Sequence, residues 1–548
     1  MKTLGFLAVS IWFTANAFSQ EVPKPTEPSP KAEASAPKLE PPALPKYPEP
    51  DDVLASMKKA TAFFRTNLST AGGYASSWPR DLSESRVEGA KGTAILSIQP
   101  HGTTTVGLAM LRAFQATEDP LFHQGAKEAG QALMWTQYAS GGWGSDFSFE
   151  LNSARKYHYR RDIDAGDLEP GKRLYRSTLD DNKTQSALHF LVDLANTPAF
   201  AEDTDLRHAL NFAWDGLLAA QASCGGWPQQ FSGPADPAVP VKKASFPAEW
   251  SRTYPAVDYT GHHTLNDNNL YNLMRLLLEA YHIEKKDNSR FLEAAKRLGD
   301  FFLLAQLPEP QPVWAQQYNA DMHPVWARKF EPPAACSVES LGAMHALLEL
   351  WLETGDEKYL EPLPAAIAWF ERSELKGEDN TWARFYELQT NLPLYCVAET
   401  YEVTHDDSNL PTHYGFKVTG FRKEIERIKE QLSESREDQL AERNDEPESE
   451  KEWSERARKL ASKARTALER QSKLGYWIND DAIDAGEFVK HLKALTDYLT
   501  ASKKGGETFA ALRESERKKE AAKARAEAEA AAKAAADTKA ATDPQKEK

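Results

Sequence analysis

The residues best equipped for chemistry stand in four short groups: Asp180-Asp181-Asn182, His262 with Asn266-Asp267, Arg328, and Arg384. Carboxylates supply oxygen ligands for a hard cation, or work as an opposed acid–base pair. A guanidinium grips a carboxylate through two parallel hydrogen bonds. Together they suit an anionic ligand held partly by arginine and partly through a bridging cation. Each residue also has a plainer use. Asp and Asn cap helix starts, a lone Arg forms surface ion pairs, and loop histidines are commonly satisfied by neighbours. The spacing places Asp181 and Asp267 at the starts of helices, on one loop-rich face.

The composition narrows the partners. With 66 Lys and Arg against 81 Asp and Glu, the 548-residue chain carries a net charge of −15. That argues against nucleic acid, whose binders show a basic footprint. An anionic substrate then needs a local basic cluster or a bridging cation. Cys224, Cys336 and Cys396 cannot all pair within one chain and match no structural zinc spacing. Residues 1–19 read as a secretory signal, with a lysine, an apolar run and the small-residue exit Ala15-Asn16-Ala17. No later stretch is apolar for long enough to cross a bilayer. The expected location is the periplasm or the exterior of the cell.

These residues need a scaffold. Residues 20–50 are rich in Pro, Ala, Lys and Glu and read as an extended spacer. Over residues 51–418 apolar side chains recur at helical spacing, as in Leu265, Leu270, Leu273, Leu276, Leu277 and Leu278. Glycine pairs at Gly72-Gly73, Gly141-Gly142 and Gly225-Gly226 each lead through a loop to a Thr-led helix, and Ser337 opens a fourth. The unit recurs at intervals of roughly 80 residues, and repeated helix pairs must bury their apolar faces on one another. The predicted fold is all-α, an (α/α) toroid with its loops gathered at one end. Residues 419–502 read as a charged helical hairpin plus a closing helix, a candidate partner surface. Residues 503–548 read as an Ala/Lys/Glu-rich low-complexity tail, a frayed helix or disordered.

Six elements in order resemble the family 10 pectate lyases. They are Gly141-Gly142-Trp143-Gly144, Thr178-Leu179-Asp180-Asp181-Asn182, Gly225-Gly226-Trp227-Pro228-Gln229, Leu265-Asn266-Asp267, Ala327-Arg328-Lys329-Phe330-Glu331 with Glu339-Ser340-Leu341-Gly342, and Arg384-Phe385-Tyr386. The resemblance implies a toroidal enzyme that cleaves polygalacturonate, an acidic polysaccharide, by calcium-assisted β-elimination. Calcium neutralises the uronate carboxylate while charge develops on it as the C5 proton leaves. The implied roles are Asp181 and Asp267 for Ca2+, with Asp181 also counted as catalytic, and Arg328 for proton abstraction. Arginine is normally protonated, so as a base it needs a strongly cationic, desolvated site. Arg384, Asn182, Asn266, His262 and Trp227 are the implied substrate-binding set. Trp143 and Trp227 serve equally well as core anchors, and Glu331 and Glu339 are read as structural.

The chain departs from the family pattern at several points. Gly144 replaces a proline, Leu392 and Ala398 stand where further arginines are expected, and the Leu179-Asp180-Asp181-Asn182 element leaves Asp180 as an alternative to Asp181. Lys242, Lys243 and Arg252 lie in an added loop that restores positive charge. Two other readings stay open: an inverting glycoside hydrolase using Asp181 and Asp267, and a non-catalytic carbohydrate-binding or scaffold toroid.

Overall fold

A single bond type, repeated five times, shows how the chain is wound. At the end of each of five helices the chain turns through a short loop, and a tryptophan indole donates back to a carbonyl in the helix just left. Trp143 reaches Leu133, Trp227 reaches Leu217, Trp314 reaches Phe302, Trp382 reaches Phe370 and Trp477 reaches Ala467, at 2.8–2.9 Å. An indole N–H buried without an acceptor is costly, so each loop is locked to its helix.

The computed structural model describes residues 44–284, 289–443 and 446–541. The expected signal of residues 1–19 and most of the 20–50 spacer lie outside them. Six outer helices are α1 (Pro50–Phe63), α3 (Pro120–Thr136), α5 (Thr204–Ala219), α7 (Ser289–Ala305), α9 (Leu363–Ser373) and α11 (Glu450–Arg470). They alternate along the chain with α2 (Thr103–Thr117), α4 (Lys183–Asn196), α6 (Asn269–Ile283), α8 (Ser337–Thr354), α10 (Phe421–Ser433) and α12 (Ala485–Lys504). The inner helices pack in the succession α12, α2, α4, α6, α8. His345 of α8 faces Glu424 of α10 at 3.7 Å. This is the (α/α) toroid.

Glutamines stitch the outer wall. The side-chain amide of Gln137 donates to Ala209, that of Gln221 to Ala294 and that of Gln306 to Pro362, each reaching the next unit. Gln471 does the same to Ser56 of α1 at 3.0 Å and accepts from the Ser56 hydroxyl at 2.8 Å, which joins the last outer helix to the first. Nearby, Ser77–Pro79 pairs antiparallel with Ala482–Asp484. Replacing Gln471 by alanine strips these bonds from the seam, and urea unfolding is expected to show a loss of about 1–3 kcal/mol. An unchanged midpoint would mean the seam does not hold the ring.

Two boundaries differ from the sequence reading. The segment 419–502 continues the repeat of the ring as α10, α11 and α12 instead of standing apart as a hairpin. Its apolar signal is faint because α11 buries Ala457, Ala461, Ala464 and Ala467 rather than large residues. After residue 503 the chain forms one helix, α13 (Gly506–Ala541). Its Phe509 is buried against Tyr47 at 5.6 Å, and Arg513 pairs with Glu49 at 3.0 Å. Alanine, glutamate and lysine are strong helix formers, and here one apolar anchor fixes the start. Residues 44–49, assigned to the spacer, are thereby ordered. No helix among the described residues is long and apolar enough to cross a membrane.

Candidate active site

The site is built from the loops that enter α4 and α6. Each loop leaves a two-residue strand, Ser177–Thr178 or His263–Thr264, that pairs with the next unit. It then places two successive residues in the left-handed region: Asp181 and Asn182 at φ 49° and 61°, Asp267 and Asn268 at φ 52° and 57°. Asp and Asn tolerate this conformation better than other side-chain-bearing residues. Neither aspartate caps its helix, since the N-cap positions are Asn182 and Asn268 and neither end has a side-chain cap bond. The capping explanation for Asp181 and Asp267 therefore fails.

Carboxylate oxygens of Asp180, Asp181 and Asp267 lie within 4.8 Å of one another. That spread equals two opposed Ca–O bonds of about 2.4 Å. Burial, then the charges of Glu339, Asp181 and Asp180 working against Arg328, push the Asp267 carboxyl up to about 6. Such a group resists ionising in the folded protein more than in the unfolded chain. Its charge costs stability above about pH 6, and the cost fades as pH falls toward about 4. Asp267→Asn is therefore expected to raise the melting temperature of the calcium-free protein at neutral pH and to change it little near pH 4. Calcium titrations at stepped pH are expected to weaken as pH falls through about 6. Equal melting of both proteins at neutral pH would refute the crowding.

A residue missed in the sequence sits among these acids. Lys183, its side chain only 4% exposed, holds its ammonium 3.3 Å from Asp180 and 3.1 Å from Asp181. Gln229, of the second glycine-glycine element, donates to the other oxygen of Asp180 at 3.0 Å. Asn266 is buried and donates to Asp267 at 2.6 Å while accepting from Gln316. It orients the carboxylate and is not presented to a ligand, contrary to its expected substrate-binding role.

The arginines face this cluster from two loops, Arg328 before α8 and Arg384 between the strands Thr381–Ala383 and Phe385–Glu387. Arg328 forms a fork with Glu331, Nε to Oε2 at 2.9 Å and Nη2 to Oε1 at 2.5 Å. Burial works to lower its proton affinity, but the Glu331 bonds and charge overcome that and hold it firmly protonated. Arg384 donates to Gly415 at 3.0 Å, to the Tyr414 hydroxyl at 3.3 Å and to Glu339 at 3.4 Å, with its guanidinium over the Tyr414 ring. Glu331 and Glu339, both 1% exposed, are thus the arginines' counter-ions as well as structural groups. Tyr414, which also bonds Glu331 at 3.2 Å, joins the two arginines. Its only sequence signal is a tyrosine in a long loop. Asp180, Asp181, Asp267, Glu331 and Glu339 carry five negative charges against three positive on Lys183, Arg328 and Arg384, leaving two uncompensated. A divalent cation would balance them, and the donor set fits calcium.

Trp227 is fully buried, its indole bound to Leu217, so it anchors the core and is no sugar platform, contrary to the expectation for it. His262 lines a separate cavity beside the cluster. Lys242 is paired with Asp321 and Arg252 with Glu387, so two of the three loop cations are spent internally. Asn182 lies next to Asp181 at the α4 entrance.

These positions coincide with a known pattern: residues 149–381 match the family model described as pectic acid lyase. The chain resembles that family as a divergent relative. No curated protein matches it. Among solved structures, the family 10 polysaccharide lyase from Cellvibrio cellulosa is 21% identical, covering 55% of this chain and 90% of its own, with a TM-score of 0.41. A GH76 alpha-mannanase from Bacteroides thetaiotaomicron is 10% identical over 82% of this chain and 96% of its own, at 0.39. Cellobiose 2-epimerase from Spirochaeta thermophila is 17% identical over 62% and 75%, at 0.36. The pectic acid lyase match contains Asp181, Asp267 and Arg328 and stops just before Arg384.

Proposed function

We propose that the protein is an exported polysaccharide lyase that cleaves polygalacturonate or a related uronate polymer with calcium. The observation that carries this reading is the convergence of Asp180, Asp181 and Asp267, from two neighbouring repeats, within 4.8 Å of one another. The spacing is shorter than the roughly 6.5–9.5 Å of an inverting hydrolase pair, which favours cation binding over hydrolysis. Calcium on these carboxylates would neutralise a uronate carboxylate and acidify its C5 proton. Arg384, steadied by Tyr414 and Glu339, is the group to grip a substrate carboxylate. Arg328, protonated in its Glu331 fork, faces the charge that develops as the C5–H bond breaks. The proton passes through water to the departing glycosidic oxygen, while the C5–H electron pair forms the C4–C5 double bond and the C4–O bond breaks. For Arg328 to take the proton itself, Glu331 must first release it and the guanidinium must lose a proton to solvent. Asn266 and Gln229 hold the acidic residues in register.

The test is the near-ultraviolet absorbance of an unsaturated uronate during incubation with polygalacturonate, with calcium and with chelator. A calcium-dependent rise is expected. A flat trace across several uronate polymers would overturn the lyase reading, since hydrolysis and simple binding make no new double bond.

A further inference from the structure

A second cavity adjoins the acidic cluster, with a volume of about 430 Å³. Its wall is built by the added loop, through Trp250, Pro255 and Val257, and by Trp326 in the loop leading to Arg328. This size falls within the range of small-molecule sites. Trp326 is fixed by its indole bond to Ser251 at 2.8 Å and by Tyr254 packing edge-on at 5.7 Å. Val257 is 45% exposed.

We propose that this cavity is a subsite for an uncharged, methyl-esterified uronate ring of the same polymer. The inference rests on the lyase reading for the polymer and on the cavity's own chemistry for the ester. No lysine or arginine lines it, whereas Glu249 and Asp258 do. A neighbouring guanidinium, Arg252, lies over the Trp250 ring at 4.5 Å but is committed to Glu387. Arg176 is tied to Thr260 at 2.9 Å and pairs with Asp258 at 3.7 Å. A bare uronate carboxylate there would face Glu249 and an Asp258 whose Arg176 partner is already engaged, with no lysine or arginine in the lining to receive it. An ester removes that repulsion, Val257 and Pro255 suit its methyl, and the part-exposed Trp250 indole suits the apolar side of a sugar ring, with the buried Trp326 as its backing.

The cavity shares no lining residue with the acidic site, but short links join the two. Tyr259 stands between the lining residues Asp258 and His262 and senses the charges of Arg328, Glu331 and Asp180. The Gln229 backbone donates to the His262 carbonyl at 3.1 Å while its side chain holds Asp180. On this proposal one polymer chain runs from the carboxylate cluster past Tyr259 into the aromatic cavity.

The experiment titrates the full protein, in chelator, with trigalacturonate and with its methyl ester, following tryptophan fluorescence. The ester is expected to bind about tenfold more tightly than the free acid. Trp250→Ala and Val257→Lys are each expected to remove that preference. Asp181→Asn, across Tyr259, is expected to keep it. Equal or tighter binding of the free acid, or a preference surviving in both cavity variants, would overturn the subsite. If Trp250→Ala fails to fold by circular dichroism, the exposed Val257→Lys decides. Because these readouts need neither calcium nor turnover, a protein that makes no unsaturated product yet prefers the ester would retire the lyase reading and keep the subsite.

Discussion

Replacing Arg328 by alanine is expected to lower turnover of polygalacturonate by roughly 10²–10³-fold, the usual cost of removing one preorganised electrostatic group from a reacting centre. The loss is expected mainly in kcat, because in the proposed reaction the guanidinium meets charge that appears only as the proton leaves. Arg328→Lys is expected to recover little, since an ammonium cannot reproduce the two-point fork with Glu331. The variant also tests the electronic state of the residue. With Glu331 in place the group stays protonated, so the wild-type rate is expected to show no rise toward alkaline pH that vanishes in Arg328→Ala. Such a rise would assign proton removal to the arginine, and undiminished activity of Arg328→Ala would sink its role altogether.

Removing the lysine that sits among the acids is expected to act in the opposite direction, on metal binding. Lys183 keeps a buried positive charge within 3.3 Å of two carboxylates of the proposed calcium site, and an incoming divalent ion must overcome that repulsion. Lys183→Met is expected to tighten calcium binding by about 10- to 100-fold, a range set by Coulomb interactions in a partly buried site. Asp181→Asn is expected to weaken it by a similar factor. Calorimetry in metal-depleted buffer reads both without any substrate. Unchanged or weaker binding by Lys183→Met would mean that the ammonium holds the carboxylates together and does not compete.

The parts of the site that were legible in the sequence are those whose residue type alone suggests a use. Asp181, Asp267, Arg328 and Arg384 stand out because carboxylates suit a hard cation and guanidinium groups suit an anionic polymer, and the fold brings the four together. What stayed hidden depends on partners far apart in the chain. Glu331 and Glu339 look structural until the arginines are seen to lean on them, and Tyr414 lies 83 residues from the Glu331 it bonds. Lys183 reads as an ordinary charged residue after a helix start, and only the left-handed turn before it shows why its ammonium folds back onto the acids. Trp227 misled because an indole serves a core as well as a sugar. The toroid was legible from its glycine-led repeats up to residue 418. Beyond that, alanines replace leucines on the buried face of α11, and charge density hides a helix that belongs to the ring.

The seam between Gln471 and Ser56 sets the order of events during synthesis. Ser56 leaves the ribosome more than four hundred residues before the glutamine that must close on it. Until then α1 and α2 have no final neighbour, and the growing arc presents an apolar edge to its surroundings. Closure between such distant segments is slow compared with formation of the individual helix pairs. The last step of folding is therefore the joining of the two chain ends, and a nascent chain halted anywhere before α12 is an open arc exposed to aggregation and proteolysis.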